Sequence, residues 1–363
     1  MTSPASAASK EERPCAPLTL ESITAPIAED LRLTQILYEE TILATAERRY
    51  IQALLGGEGG AYIPEAFRVE TADQIARHLL RGEGKWIRAV VCLLGAKACG
   101  ASGPAVRQVA VAVEVVHLAT LVHDDVIDQA PIRRGIQSVS DGWGNSVSVL
   151  LGDFLFSKAF KLLLASGSVA AQTLLTVATG QMCLGEIKQL CYATDAEFKE
   201  RDYLEMIENK TASLMAAASA AGGHFSGLPD EITEKVHGYG HALGMAFQIT
   251  DDVLDYTASS SILGKERCGD LRNGKVTLPL IHLYEHNPAA RAIVENNLPM
   301  EEKSQQLLEW MSEVGSIDYA YSVGRRYGDR AKAFLDEIKM EIGDSESLAS
   351  LVHLVDFILN RNR

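Results

Sequence analysis

Positive charge is what this chain lacks most plainly: 34 Lys and Arg stand against 48 Asp and Glu, a formal net charge of −14. That balance argues against nucleic acid or an anionic membrane as a partner held by bulk electrostatics. It leaves open an anionic substrate, because local Lys, Arg or bound cations can invert the field at a site. Cysteine is scarce too. Cys15, Cys92, Cys99, Cys183, Cys191 and Cys268 contain no Cys-x-x-Cys pair and no His-rich zinc spacing. Small buried thiols in a reduced, cytoplasmic protein are therefore expected, not a disulfide scaffold. The longest apolar run, Val109 to Val122, is interrupted by Glu114 and His117 and is too short to span a bilayer. The first ten residues hold no apolar stretch, so no export signal is expected. Gly56-Gly57-Glu58-Gly59-Gly60 has no Lys-Ser/Thr after it and reads as a turn between helices, not a phosphate cradle. Runs of short alternating strands are missing, so no sheet of consequence is expected.

What is present is a helical pattern nearly everywhere. A hydrophobic content of 47% with 23% charged residues suits one sizeable core. Residues 1–24, rich in Ala, Ser, Pro and Glu, read as a flexible tail. Residues 25–363 read as a single all-α domain, a bundle of long helices around a central cavity. Periodicity predicts helices over 71–81, 86–98, 105–128, 145–165, 169–191, 200–220, 231–256 and 276–286, with more from 302 onward. Asp73, Ser102 and Asp230 are candidate caps, and Gly100, Gly103, Gly227 and Gly274 punctuate.

Two copies of one acidic pattern carry the chemistry: Asp124-Asp125-Val126-Ile127-Asp128 and Asp251-Asp252-Val253-Leu254-Asp255. On a helix the first and fifth positions lie about one turn apart on one face, so each copy presents clustered carboxylates. Six like charges converging on a cleft repel one another unless multivalent cations neutralise them. Hard cations that accept carboxylate oxygen and bring phosphate-bearing substrates with them point to Mg²⁺. His117 lies two turns before Asp124 on nearly the same face. Arg133 and Arg134 follow Pro131 on a loop beside the first motif, suited either to a surface salt bridge or to forked contact with phosphate. Lys85 and Arg88 sit three apart at a helix start, where free backbone N–H groups favour an anion. Lys265 and Lys275, on Gly-flanked segments after the second motif, are either solvated or diphosphate clamps.

Together these segments resemble the trans-isoprenyl diphosphate synthase family. The collinear set is Gly84-Lys85-x-x-Arg88, Glu114-x-x-His117, Asp124-Asp125-x-x-Asp128, Arg133-Arg134-Gly135, Gly152-Asp153, Gly185-Glu186-x-x-Gln189, Lys210-Thr211, Phe247-Gln248-x-x-Asp251-Asp252-x-x-Asp255, Gly264-Lys265 and Gly274-Lys275-x-Thr277-x-Pro279. The resemblance implies an isoprenoid-synthase fold, a likeness to octaprenyl diphosphate synthases and a homodimer. It also implies that Asp124, Asp128 and Asp251, helped by Asp125, Asp252 and Asp255, hold Mg²⁺ on an allylic diphosphate. Arg133, Lys210, Gln248 and Lys265 would contact that substrate, with Lys275 a further clamp and Thr211 beside the reacting carbon. Lys85, Arg88, His117 and Arg134 would hold isopentenyl diphosphate. Two residues depart from the family pattern: Trp86 stands at a usually basic position and Ala89 at a common proline.

Product length should follow cavity depth below the first motif, at about 5.4 Å per helical turn. Ala119 and Thr120, five and four positions before Asp124, are small, where bulky aromatics stop growth in the family's short-chain members. A product of C30 or longer is therefore expected, with Val115, Val116 and Ala112 continuing the lining. The alternative is that Ala119 and Thr120 merely pack against a neighbouring helix. Phe154, Phe156 and Phe160 are candidates for the floor. Three rival functions are a shorter-chain synthase making geranylgeranyl diphosphate, a class I terpene cyclase and a non-catalytic subunit. The second acidic triplet disfavours the cyclase, and the completeness of both triplets disfavours the silent subunit.

Overall fold

The computed structural model describes residues 18–43, 69–82, 84–192, 198–257, 268–295 and 298–361. In chain order the helices are α1 (Leu20–Thr24), α2 (Ala28–Leu43), α3 (Val69–Leu80), α4 (Ile87–Ala98), α5 (Pro104–Ile127), α6 (Val139–Trp143), α7 (Asn145–Ala165), α8 (Val169–Tyr192) and α9 (Glu200–Ile207). They continue as α10 (Ser213–Gly223), α11 (Asp230–Thr257), α12 (Gly269–Arg272), α13 (Leu278–His286), α14 (Ala289–Glu295), α15 (Met300–Glu313), α16 (Ser316–Ile342) and α17 (Glu346–Leu359). The all-α expectation holds. Ile23 of α1 is buried in the main core, so order begins inside the span read as a tail; the glycine-rich turn at 56–60 lies outside the described residues.

Helix α5 is the axis of the bundle. Its valines and alanines from Val109 to Val116 are almost all buried, because a short β-branched or methyl side chain lets neighbours approach on every side. At 24 residues it is long and apolar enough to cross a membrane, longer than the run read from the sequence, yet most of it lies inside the protein core. Helices α4, α7 and α10 flank it, and α11 packs between α10 and α16. Small residues set these distances. A Cβ on Gly222 would lie 2.3 Å from the Cys92 carbonyl oxygen, so α10 and α4 meet backbone to backbone. Gly152 of α7 makes room in the same way for the His123 ring, which a Cβ there would meet at 2.0 Å.

Gly100, Gly103, Gly227 and Gly274 all take positive φ, as their punctuating role requires. The proposed caps fare worse. Helix α3 starts at Val69, which puts Asp73 in its interior; α5 is capped by Gly103, not Ser102; and Asp230 is the first helical residue of α11. Helix α3 begins four positions before Asp73, α5 begins two positions after Ser102 and α11 begins at Asp230 itself, shifts of the size common at helix ends. Cys92, Cys99 and Cys268 are buried thiols, whereas Cys183 and Cys191 are exposed on α8, contrary to the buried reading.

Candidate active site

The two acidic motifs end α5 and α11. Asp128 is the C-terminal cap of α5, and Asp251–Asp255 lie in the last two turns of α11. Lys275 Nζ donates to Asp128 Oδ2 at 2.7 Å, tying the first motif to the segment that follows the second. Asp124 feels the charges of Lys210, Glu186 and Arg133, while Asp270 feels those of Asp255, Lys275, Asp251 and Lys210. The motifs therefore border one charged pocket. Burial, reinforced by Glu186, raises the Asp124 carboxyl to about 6 against the pull of Lys210. Burial and Asp255 raise Asp270 to about 6.

Neighbouring positions in each motif do different things, since they point about 100° apart around the helix. Asp125 is buried and receives Arg133, whose Nε and Nη2 both lie 2.7 Å from Oδ1. The salt-bridge reading of Arg133 is thus the one this conformation displays. Asp252 is buried between Tyr203 and Gln248. Burial and the Asp270 charge hold its carboxyl well above its usual value, against the opposing pull of those two donors. Asp255 accepts the backbone N–H groups of Gly269 and Asp270 at 3.1 and 3.0 Å, holding the start of α12. Asp251 is more exposed, with Arg361 Nη1 3.6 Å away.

A π-helical turn, Glu208–Ala212, presents Lys210 and Thr211 in different directions. Lys210 pairs with Glu186 and donates to Gln189 Oε1 at 3.1 Å, whereas Thr211 donates to Gln248 Oε1 at 2.7 Å. Lys265 lies outside the described residues.

The cationic residues collect on the other side. A two-residue turn joins strands β1 (Ile132–Arg133) and β2 (Ile136–Gln137), and Arg134 and Gly135 both take positive φ (51° and 76°) there. That turn lays the Arg134 guanidinium against Gly84, where a Cβ would meet Nη1 at 2.9 Å. Lys85 is lowered by burial and by the Arg361 charge. Arg88 is lowered by burial, and its Nε is sealed from water with no hydrogen-bond partner among the described residues. His117 is held well below its usual value by burial and by Arg88, Arg134 and Arg133, so it is neutral at physiological pH. His117 feels Arg88 and Arg134, and Lys85 and Arg88 both feel Asp251, so Lys85, Arg88, His117 and Arg134 share one cationic region. The departure at Ala89 has a structural consequence: its N–H donates to Glu114 Oε1 at 2.9 Å, a bond a proline would lack. Trp86 stacks edge-on against Tyr38 with ring centroids 4.7 Å apart.

Below the acidic pocket Ala119 is fully buried, and Thr120 turns its hydroxyl back to the His117 carbonyl at 2.8 Å. Ala112, Val115 and Val116 have no accessible surface. Of the three phenylalanines on α7, Phe156 packs onto the core beside His123, while Phe154 and Phe160 are exposed. Sequence reasoning gave no role to Tyr203, Asp270 or Arg361. The Gly-Asp pair at 269–270 was a visible signal; Arg361, near the end of the last helix, had none.

The donor set suits a hard divalent cation. It offers only carboxylate oxygens, two of them on carboxyls that burial and like charge have raised to about 6, a strain that added positive charge relieves. Among the described residues no three Asp, Glu, His or Cys side chains enclose a cation by themselves. Magnesium fits such a site, because it is usually held by one or two carboxylates with substrate phosphate completing the shell.

An all-α bundle with adjoining carboxylate and guanidinium pockets defines a class of enzymes acting on prenyl diphosphates. The polyprenyl synthetase family profile matches residues 69–314, and the chain belongs to that family. It is a trans-prenyl diphosphate synthase, a prenyltransferase whose substrates are isoprenyl diphosphates. It is 34% identical to octaprenyl diphosphate synthase of Escherichia coli (strain K12) over 290 residues, covering 79% of this chain and 90% of that one. It is equally 34% identical over 299 residues to geranylgeranyl diphosphate synthase of Methanosarcina mazei, covering 81% and 91%. Its fold matches the crystal structure of polyprenyl synthase from Caulobacter crescentus CB15, complexed with calcium and isoprenyl diphosphate. That match has a TM-score of 0.82 at 30% identity and covers 96% of this chain and all of that one.

Proposed function

We propose that this enzyme condenses isopentenyl diphosphate head to tail with a farnesyl- or geranylgeranyl-type allylic diphosphate to make an all-trans product of C30 or longer, most like octaprenyl diphosphate. The observation that carries the reading is the buried, partnerless Nε of Arg88 in a cationic pocket beside the carboxylate pocket. One pocket awaits an anion and the other a cation-bridged anion.

In this reading Asp124, Asp128 and Asp251 hold Mg²⁺, which when bound neutralises the departing diphosphate. Asp125 and Asp252 support them by orienting Arg133 and Gln248. Lys210 and Lys275 exchange their present carboxylate partners for diphosphate oxygens, and Arg133 and Lys265 complete the grip. Lys85, Arg88, Arg134 and neutral His117 fix isopentenyl diphosphate so that its double bond lies near the ionising allylic carbon. The apolar walls exclude water from the cation. The final proton passes to the released diphosphate, the base formed by the ionisation itself.

A long product is supported by the small residues Ala119 and Thr120 and by the names of several relatives. A homodimer is supported by an apolar stripe on α8, where Leu184, Ile187 and Leu190 are each more than half exposed. A cytoplasmic setting is supported by the free thiols of Cys92, Cys99, Cys183, Cys191 and Cys268. Purified chain incubated with Mg²⁺, farnesyl diphosphate and labelled isopentenyl diphosphate should yield elongated prenyl diphosphates alone. A cyclic hydrocarbon, or turnover only with a second protein, overturns the reading.

A further inference from the structure

A buried hydrogen-bonded chain runs beneath the acidic pocket and ends at Thr211. Tyr203, with no accessible surface, donates its hydroxyl to Asp252 Oδ2 at 2.6 Å. Gln248 Nε2 donates to Asp252 Oδ1 at 2.7 Å, and Thr211 Oγ1 donates to Gln248 Oε1 at 2.7 Å. Asp252 and Thr211 are each only 6% exposed, so water does not interrupt the chain.

The direction of these bonds follows from chemistry. Both Asp252 oxygens accept, one from the Tyr203 hydroxyl and one from Gln248, so the amide facing Asp252 presents its NH₂ group. The carbonyl of Gln248 then faces Thr211, and the Thr211 hydroxyl commits its one proton to it. What remains on Thr211 toward the pocket is lone-pair density.

We propose that Tyr203 and Asp252 are positioning residues: they fix the polarity of the Gln248 amide and so hold the Thr211 oxygen, not its proton, toward the carbon where positive charge develops. This rests on the reading above that Thr211 lies beside the allylic carbon. A dipole already oriented for the charge that appears during ionisation lowers that barrier without reorganising. It also gives Asp252 a task distinct from metal binding, since both its oxygens receive protein donors.

The test is a reversal of polarity. In Asp252→Asn, Tyr203 keeps its only acceptor by donating to the Asn carbonyl, which turns the Asn NH₂ toward Gln248. The Gln248 amide must then flip, and Thr211 accepts from it and turns its proton into the pocket. We expect kcat to fall on the order of 100-fold, with KM for both substrates and the half-saturating Mg²⁺ concentration within about twofold of wild type. Asp252→Asn combined with Gln248→Glu restores the original direction at unchanged net charge, and should recover at least about tenfold in kcat. If that pair does not fold, judged by thermal melting, Tyr203→Phe in the Asp252→Asn background frees the Asn to turn its carbonyl to Gln248 and should likewise regain activity.

Unchanged kcat in Asp252→Asn, recovery by excess Mg²⁺, or no rescue in a folded double variant overturns the proposal. Wild-type chain elongation is measured first. Its absence defeats the functional reading, whereas elongation with an indifferent Asp252→Asn variant defeats only this inference.

Discussion

In the proposed reading, Arg88 is placed for a ligand at the expense of the protein. Its sealed, partnerless Nε is a buried donor without compensation, which costs stability in the ligand-free state. Arg88→Met should therefore leave thermal stability unchanged or raised while increasing KM for isopentenyl diphosphate at least about tenfold, with a smaller effect on the allylic substrate. Steady-state kinetics with each substrate varied in turn decides it; equal changes in both KM values would remove Arg88 from the pocket assigned to it. His117 offers a pH signature. Its folded-state value lies well below the ordinary 6.5, so the unfolded chain binds the proton more readily. The stabilisation is complete above about 6.5 and is lost as pH falls toward the folded value. Melting temperatures measured downward from neutral pH should fall more steeply for wild type than for His117→Gln. Identical slopes would mean that the ring is not held neutral.

At the scale of elements, α5 carries the first acidic motif and, five and four positions before it, Ala119 and Thr120. Ala119 is fully buried and Thr120 is turned inward against its own helix, so an added aromatic ring must push into the seam between α5 and its neighbours. Ala119→Phe should shorten the product resolved by chromatography by one or more isoprene units while rates of the first condensation persist. Unchanged length would favour the reading in which Ala119 only packs.

For the whole molecule, the exposed Leu184, Ile187 and Leu190 of α8 form an apolar stripe that a solitary protein would not favour. Replacing Leu184 and Ile187 together with Lys should convert a dimer to a monomer in light scattering after gel filtration. A wild-type monomer would mean that this face serves something else. Cys183 and Cys191 lie on the same helix, and their exposure, unexpected for thiols in apolar sequence, is consistent with a face covered by a second copy.

The amino-acid sequence by itself determined the all-helical class, most helix bounds to within a few residues, both carboxylate motifs and the collinear basic residues around them. These are legible because they depend on spacing along one chain. Periodicity sets which side of a helix is apolar, and a fixed angular step puts the first and fifth Asp of a motif together. Tertiary structure alone decided the neighbours. It paired Arg133 with Asp125, set Lys275 on Asp128 and joined Tyr203 to Thr211 through residues far apart in the chain. It bent Arg134 back over Gly84 through strands too short to show a period. It also separated apolar residues that face the core from those of α7 and α8 that face outward. Angular position on a helix is a local property of the chain, whereas what occupies that direction depends on every other helix that packs there.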